Sequence, residues 1–438
     1  MPRPEPAQSQ HGKRRLALLW ARLKEHPLAR VGPGLITGAA DDDPSGIATY
    51  SQAGAQFGLN MLWTMPLCYP LMAAIQAMCA RIGRVTGRGL AANIKSAFHP
   101  VVLGAVVVLL LIANTLNIAA DVAAMGESAE LVTGIDRHLM TAFFVALTLL
   151  LQLLVPYHRY VFYLKWLTLS LLAYAAVLFT VHVPWGEVAL RTLWPQFKFD
   201  GKSAAVIIGV FGTTISPYLF FWQTSEEVED MDKSGSEALL ANAGGSAAAA
   251  ELRRIRWDTW SGMLFSDLAA FFIILATALT LHRAGITDIE TAAQAATALR
   301  PLAGQFAFIL FALGILGVGL IGVPVLAGSG AYALSEALGW RWGLERKVAD
   351  ARGFYGIIAI SVLLALGIQY SPINPMKALF WSAIINGVVA VPLMAVVIIL
   401  ASKRSVMGQF IVGRTLRALG WLATVLMGAA AVCMLMPG

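Results

Sequence analysis

Hydrophobic positions along this chain come in long blocks, not in the short alternations of strands or the narrow stripes of surface helices. Val101 to Ile112, Leu139 to Val155 and Phe306 to Leu326 are almost free of charge. A helix rises ~1.5 Å per residue and a hydrocarbon core is ~30 Å thick, so about 20 such residues in series cross it. The blocks predict spans at 31–57, 59–80, 100–126, 139–156, 160–182, 203–231, 257–282, 302–336, 353–369, 374–400 and 410–436. The chain therefore reads as an all-α integral membrane protein with eleven crossings. A soluble core has no need of apolar runs of this length in series.

Two of these spans differ from the rest. The first holds Asp41, Asp42 and Asp43, followed at once by Pro44, Ser45 and Gly46. The sixth holds Thr213, Thr214, Ile215, Ser216 and Pro217 at its middle. Proline removes a backbone donor and clashes with the preceding turn, so each span is expected to be two half-helices joined by an extended segment. Each opens one of two five-helix halves, 31–182 and 203–400, which leaves 410–436 as an eleventh helix and 1–30 as an N-terminal arm. An odd number of spans per half orients the halves oppositely. Interrupted helices at matching places in inverted repeats mark a transport site at the midplane.

Composition agrees and adds orientation. Apolar residues make up 58% and charged residues 13%, against about a quarter charged in soluble domains, and mean hydropathy is +0.69. The net charge of +7 does not form a nucleic-acid patch. With the N-terminus placed in the cytoplasm, all but seven of the 32 Lys and Arg fall on the cytoplasmic side; the exceptions are Arg137, Arg191, Lys198, Lys202, Arg283, Arg300 and Lys377. By the positive-inside rule this predicts a multi-pass protein of the plasma (inner) membrane, N-terminus inside and C-terminus outside. The arm has no h-region with a cleavage site, so no signal peptide is expected. The stretch from Met231 to Arg256, with Gly244, Gly245 and an alanine run, reads as a flexible connection. Cys68, Cys79 and Cys433 are too few for a disulfide framework or zinc site. The expected partners are the lipid bilayer and a small ion, with no nucleic acid, no obligate protein partner and no cofactor.

An intramembrane carboxylate costs ~2.5–3.5 kcal/mol or more and is a functional candidate by default. Asp43, beside the proline, is best placed to face the unwound centre, while Asp41 and Asp42 face a vestibule or neighbouring helices. Asp121 and Asp267 admit a structural or a permeation role. Glu226, Glu227, Glu229 and Asp230 close the sixth span, as a solvated helix end or as an exit vestibule for cations. Asn114, Asn117 and Asn386 read first as interhelical glue, with Asn386 kept as a permeation candidate. No histidine falls at a span centre, which leaves no imidazole proton relay. No methionine or cysteine adjoins either break, so a soft sulfur ligand is expected to be missing there. The remaining donors are oxygens, which suit a hard cation, Mg²⁺ or Mn²⁺ first.

The run from Gly32 through Asp43-Pro44-Ser45-Gly46 to Gln56-Phe57-Gly58 resembles the first span of the NRAMP metal transporters, and the likeness extends over most of the chain. It implies a LeuT-like fold and divalent-metal transport by alternating access. Carried over residue by residue, it implies that Asp43 binds metal, that Ala40 and Thr213 offer carbonyls, and that Gly46 stands where the family has a liganding asparagine. It further implies that Ser216 replaces the family's methionine, that Tyr218 and Gln223 replace two histidines, and that Asp121 keeps a proton-pathway aspartate whose glutamate partner is Ala124 here. With thioether and relay gone, the pattern is most like the NRAMP-related magnesium transporters. The expectation is a secondary transporter importing Mg²⁺, and Mn²⁺ with it, without proton coupling. The alternatives are a proton-coupled Mn²⁺/Fe²⁺ carrier, a channel and, remotely, an intramembrane enzyme using aspartates.

Overall fold

The computed structural model describes residues 33–155, 167–196, 200–233, 240, 245–368 and 374–435. The principal helices are α1 (Pro33–Asp41), α2 (Pro44–Phe57), α3 (Thr64–Thr86), α4 (Leu90–Ala97), α5 (Pro100–Thr133), α6 (Arg137–Leu154), α7 (Gly201–Thr214), α8 (Pro217–Lys233), α9 (Gly245–Thr277), α10 (Ala307–Leu338), α11 (Arg352–Ile368), α12 (Pro375–Ser402) and α13 (Arg414–Met434). Residues 156–166, which include the start of the predicted fifth span, and the whole arm, 1–30, lie outside the described residues. Eight helical stretches among those described are long and apolar enough to cross a membrane by themselves, with α7 and α8 counted as one stretch. The pair α1–α2 and the shorter apolar helix α11 add to them.

Both expected breaks are present, and each has a local cause. The first helix stops at Asp41 and restarts at Pro44, with Asp43 extended (φ −80°, ψ 172°) as the N-cap of α2. Aspartate is a preferred N-cap and proline a preferred first residue. The second stops at Thr214 and restarts at Pro217, past Ile215 at φ −106°, ψ 57°. The two broken helices run in opposite directions. The start of α1 meets α9 near its beginning, through the Gly34 N–H donating to Asp258 at 2.8 Å. At that same end the close of α8 is tied to α9, through Arg254 and Glu227.

Packing around the breaks depends on small residues. A Cβ on Gly38 would stand 2.3 Å from the Gly262 carbonyl, and one on Gly212 2.2 Å from that of Ala383. Only glycine permits backbones to meet at these points, the usual device of membrane helix pairs. Between them the seams set α1 on α9 and α7 on α12.

The stretch from Met231 to Arg256 departs from expectation from 245 onward, while 234–239 and 241–244 lie outside the described residues. Helix α9 begins at Gly245, so the alanine run is helical, as alanine's high helix propensity favours. The acids closing α8 also differ from a solvated end or an open vestibule: Glu226, Glu227 and Glu229 are all buried. Glu227 pairs with Arg254, and Asp230 with Arg84 at 3.5 Å. Glu229 accepts from Tyr332 at 2.7 Å and from the Leu344 N–H at 2.9 Å. These partners come from distant parts of the chain and were invisible in the local sequence.

Candidate cation site

The first break is organised by Asp43. One carboxylate oxygen, Oδ1, accepts from the Ser45 hydroxyl at 2.6 Å and from the Gly46 N–H at 2.8 Å. The other, Oδ2, accepts from Asn117 on α5 at 2.8 Å and from the Tyr218 hydroxyl at 3.5 Å. Gly322 of α10 lies against it, where an added Cβ would stand 3.1 Å from that of Asp43. Asp121, one turn beyond Asn117, faces Asp43 and the backbone of Ser45, and among the described residues no donor stands in good hydrogen-bonding geometry to either of its carboxylate oxygens. Asp43, Asn117 and Asp121 are all buried.

The second break is neutral. Ser216 shares its hydroxyl proton between the carbonyls of Gly212 at 2.8 Å and Thr213 at 2.7 Å, so this hydroxyl is turned onto its own helix. Three side-chain contacts join the breaks. Ser45 meets Thr213 at 3.4 Å, Tyr50 meets Thr214 at 2.9 Å, and Tyr218 donates to the Ala40 carbonyl at 3.2 Å. Gly46 sits between them, where a Cβ would stand 3.3 Å from the Thr213 hydroxyl and 3.7 Å from Asp43 Oδ1. Asp43, Ala40, Gly46, Thr213, Ser216 and Tyr218 are thus brought together.

The aspartate triplet divides. Asp43 faces α5, whereas Asp41 and Asp42 face α9 and share the Ser266 hydroxyl at 2.6 and 3.0 Å. Asp267 lies beside them, its Oδ1 without a partner. The remaining permeation candidates are more scattered. Gln223 donates to Glu227 at 3.4 Å, one turn along α8 toward the ion-paired end. Asn386 is buried on α12 with both side-chain polar atoms unpartnered.

Two features were missed from sequence. Asn117, read as glue, holds Asp43 directly, whereas Asn114 does act as glue, donating to the Leu326 carbonyl and Ser329, each at 2.8 Å. Although no sulfur adjoins either break in sequence, the buried Cys68 of α3 faces Thr214 and Asp41. A period-four register on α5 was the one available signal for the first; nothing local announced the second.

At the opposite end from the α8 acids, Gln52 bridges the Thr287 carbonyl at 3.1 Å and the Ile289 N–H at 2.9 Å. A cleft lined by Ala48, Gln52, Gln56, Asp288 and Lys377 opens there. Lys377 lies 2.9 Å from Glu290 and holds that exposed carboxyl below its ordinary range.

Residues 34–437 match the family described as natural resistance-associated macrophage protein-like, Nramp. The chain belongs to the Nramp family. It is 25% identical over 403 residues to a divalent metal cation transporter MntH of Klebsiella pneumoniae, covering 90% of each chain. It is 27% identical over 421 residues to the MntH of Bradyrhizobium diazoefficiens, covering 92% of this chain and 87% of that one. The Eremococcus coleocola manganese transporter superposes with a TM-score of 0.72 at 16% identity, covering 98% of this chain and 88% of that one. Mhp1, a nucleobase-cation-symport-1 family transporter, superposes at 0.54 with 13% identity, covering 92% of each. The fold is accordingly LeuT-like, with inverted repeats and broken first and sixth helices. This Nramp member is a multi-pass membrane protein and not an enzyme.

Proposed function

We propose that this protein imports divalent cations, Mg²⁺ foremost and Mn²⁺ with it, by alternating access around Asp43. The observation that carries the reading is the oxygen shell at the first break: the Asp43 carboxylate, the Ala40 carbonyl, and Asn117 and Asp121 alongside. Hard oxygen donors suit Mg²⁺ and Mn²⁺. Mg²⁺ takes only one or two carboxylates and keeps several waters, which fits one acid in contact and a second behind it. Asp43 neutralises part of the ion's charge, Ala40 and Thr213 contribute carbonyls, and Ser216 acts at most through water while its hydroxyl stays on its own helix. The ion enters past Gln52 and leaves past Tyr218, Gln223 and Glu226. The N-terminus lies in the cytoplasm and the C-terminus outside, in the plasma membrane.

The driving force is the membrane potential, ~2.3 kcal/mol per charge per 100 mV and about twice that for a dication, with no proton required. A second reading, a proton-coupled Mn²⁺/Fe²⁺ carrier, is favoured by the buried carboxylate of Asp121 facing Asp43 and by Cys68 beside the second break. The names of the MntH relatives favour it too. Uptake of Mg²⁺ and Mn²⁺ into proteoliposomes, with and without a pH gradient, separates the two. Saturable Mg²⁺ uptake that ignores the gradient supports the first; proton movement in step with metal, and no Mg²⁺ uptake, overturns it.

A further inference from the structure

Helix α5 carries a row of buried oxygens with no donor in hydrogen-bonding geometry among the described residues. Asn114, Asn117 and Asp121 stand at i, i+3 and i+7, on one helix face. Asn114 commits its amide N–H to α10 and Asn117 commits its own to Asp43. Among the described residues both amide oxygens have no hydrogen-bond donor, and the Asp121 carboxylate faces the Ser45 backbone without a bond in good geometry, although none of the three residues is more than 2% exposed. Only a donor can face the Asp43 carboxylate, so the orientation of the Asn117 amide is fixed by chemistry. Its oxygen belongs to the same planar group and stays beside the site.

A buried acceptor without a donor is costly and calls for an explanation when it recurs along one face. Aligned acceptors whose own N–H groups are already engaged elsewhere reject an anion and welcome a cation. Amide oxygens are ordinary ligands of hard dications.

We propose that Asn117 is a cation-contacting, selectivity-setting residue, its Oδ1 touching the ion while its N–H holds Asp43 in place. The inference rests on the divalent-cation reading above and deepens it. It moves the neutral ligand of the site to α5, away from the second break, where Ser216 is self-satisfied.

The test is titration of detergent-solubilised protein with Mg²⁺, Ca²⁺ and Mn²⁺, paired with uptake kinetics, for the unmutated chain, Asn117→Ala and Asn117→Asp. Loss of one such contact weakens metal binding by about tenfold or more. Asn117→Ala is therefore expected to raise the Kd and KM for Mg²⁺ by that factor and to change the Mg²⁺-to-Ca²⁺ ratio. Asn117→Asp, nearly the same shape, keeps an oxygen for the ion but exchanges the N–H that holds Asp43 for a second negative charge, so it should alter the Mg²⁺-to-Ca²⁺ ratio and slow turnover. Unchanged Kd, KM and ion ratio in either folded variant, with only the yield or kcat reduced, would mean that Asn117 is glue and would overturn the inference alone. No saturable dication binding by the unmutated chain would overturn the transport reading and the inference together.

Discussion

At the first break the loose end of the chain is capped by a carboxylate; at the second, by a hydroxyl. Asp43 draws in the Gly46 N–H and the Ser45 hydroxyl on one oxygen, and Asn117 and Tyr218 on the other. Ser216 instead hands its single proton back to Gly212 and Thr213, a self-contained arrangement that serine adopts in helices. The two breaks share a geometry and divide the chemistry. The first gathers groups from three other helices, α5, α8 and α10; the second is finished locally. A site built this way concentrates its charge and its partners on one side, and the other side supplies backbone and a wall.

The contrast is open to four tests. The largest effect belongs to Asp43→Ala. Two unit charges about 4 Å apart at an effective dielectric near 20 interact by ~4 kcal/mol, so uptake into proteoliposomes should fall by about a hundredfold or more. Retained uptake would erase the distinction between the breaks. Next is Arg254→Ala, which strips the buried Glu227 of its partner at the far end of α8. Breaking such a pair costs ~3–5 kcal/mol, and because Arg254 is itself half-buried the low end is expected in thermal unfolding. Little change would mean that the second broken helix is not anchored there.

Ser216→Met gives the second break a soft ligand. Calorimetry should then show Cd²⁺ binding tighter and Mg²⁺ weaker, each by about tenfold, the ~1.4 kcal/mol of one modest contact. The smallest effect is expected from Ser216→Ala. Its hydrogen bond contributes ~0.5–1.5 kcal/mol at most, so stability should drop by no more than that, with Mg²⁺ affinity unchanged in the same titration. A large loss of affinity would place the hydroxyl on the ion after all.

What could be read from the chain follows the range of the physics. Both breaks were legible because proline's lost donor and steric clash act within one turn. Asp43 was legible because an acid beside such a break has few other uses. Contacts spanning 74 residues, Asn117 to Asp43, or 225, Ser266 to Asp41, depend on which helix faces which, and no local pattern encodes that. The burial of the acids after Gln223 was hidden for the same reason: Arg84 and Arg254, which pair with Asp230 and Glu227, stand on α3 and α9. The connection before Arg256 misled by composition, since glycine and alanine together look like a linker until the alanines find a helix to extend.

The glycine seam between α1 and α9 bears on how an ion could leave. Gly34, Gly38 and Asp42 repeat every four residues, and so do Asp258, Gly262 and Ser266 opposite them. Main chains interlocked at that spacing have no clearance to slide past one another. Any swing of the short segment α1 therefore carries α9 with it, as one arm, and the bending falls on the two residues between Asp41 and Pro44.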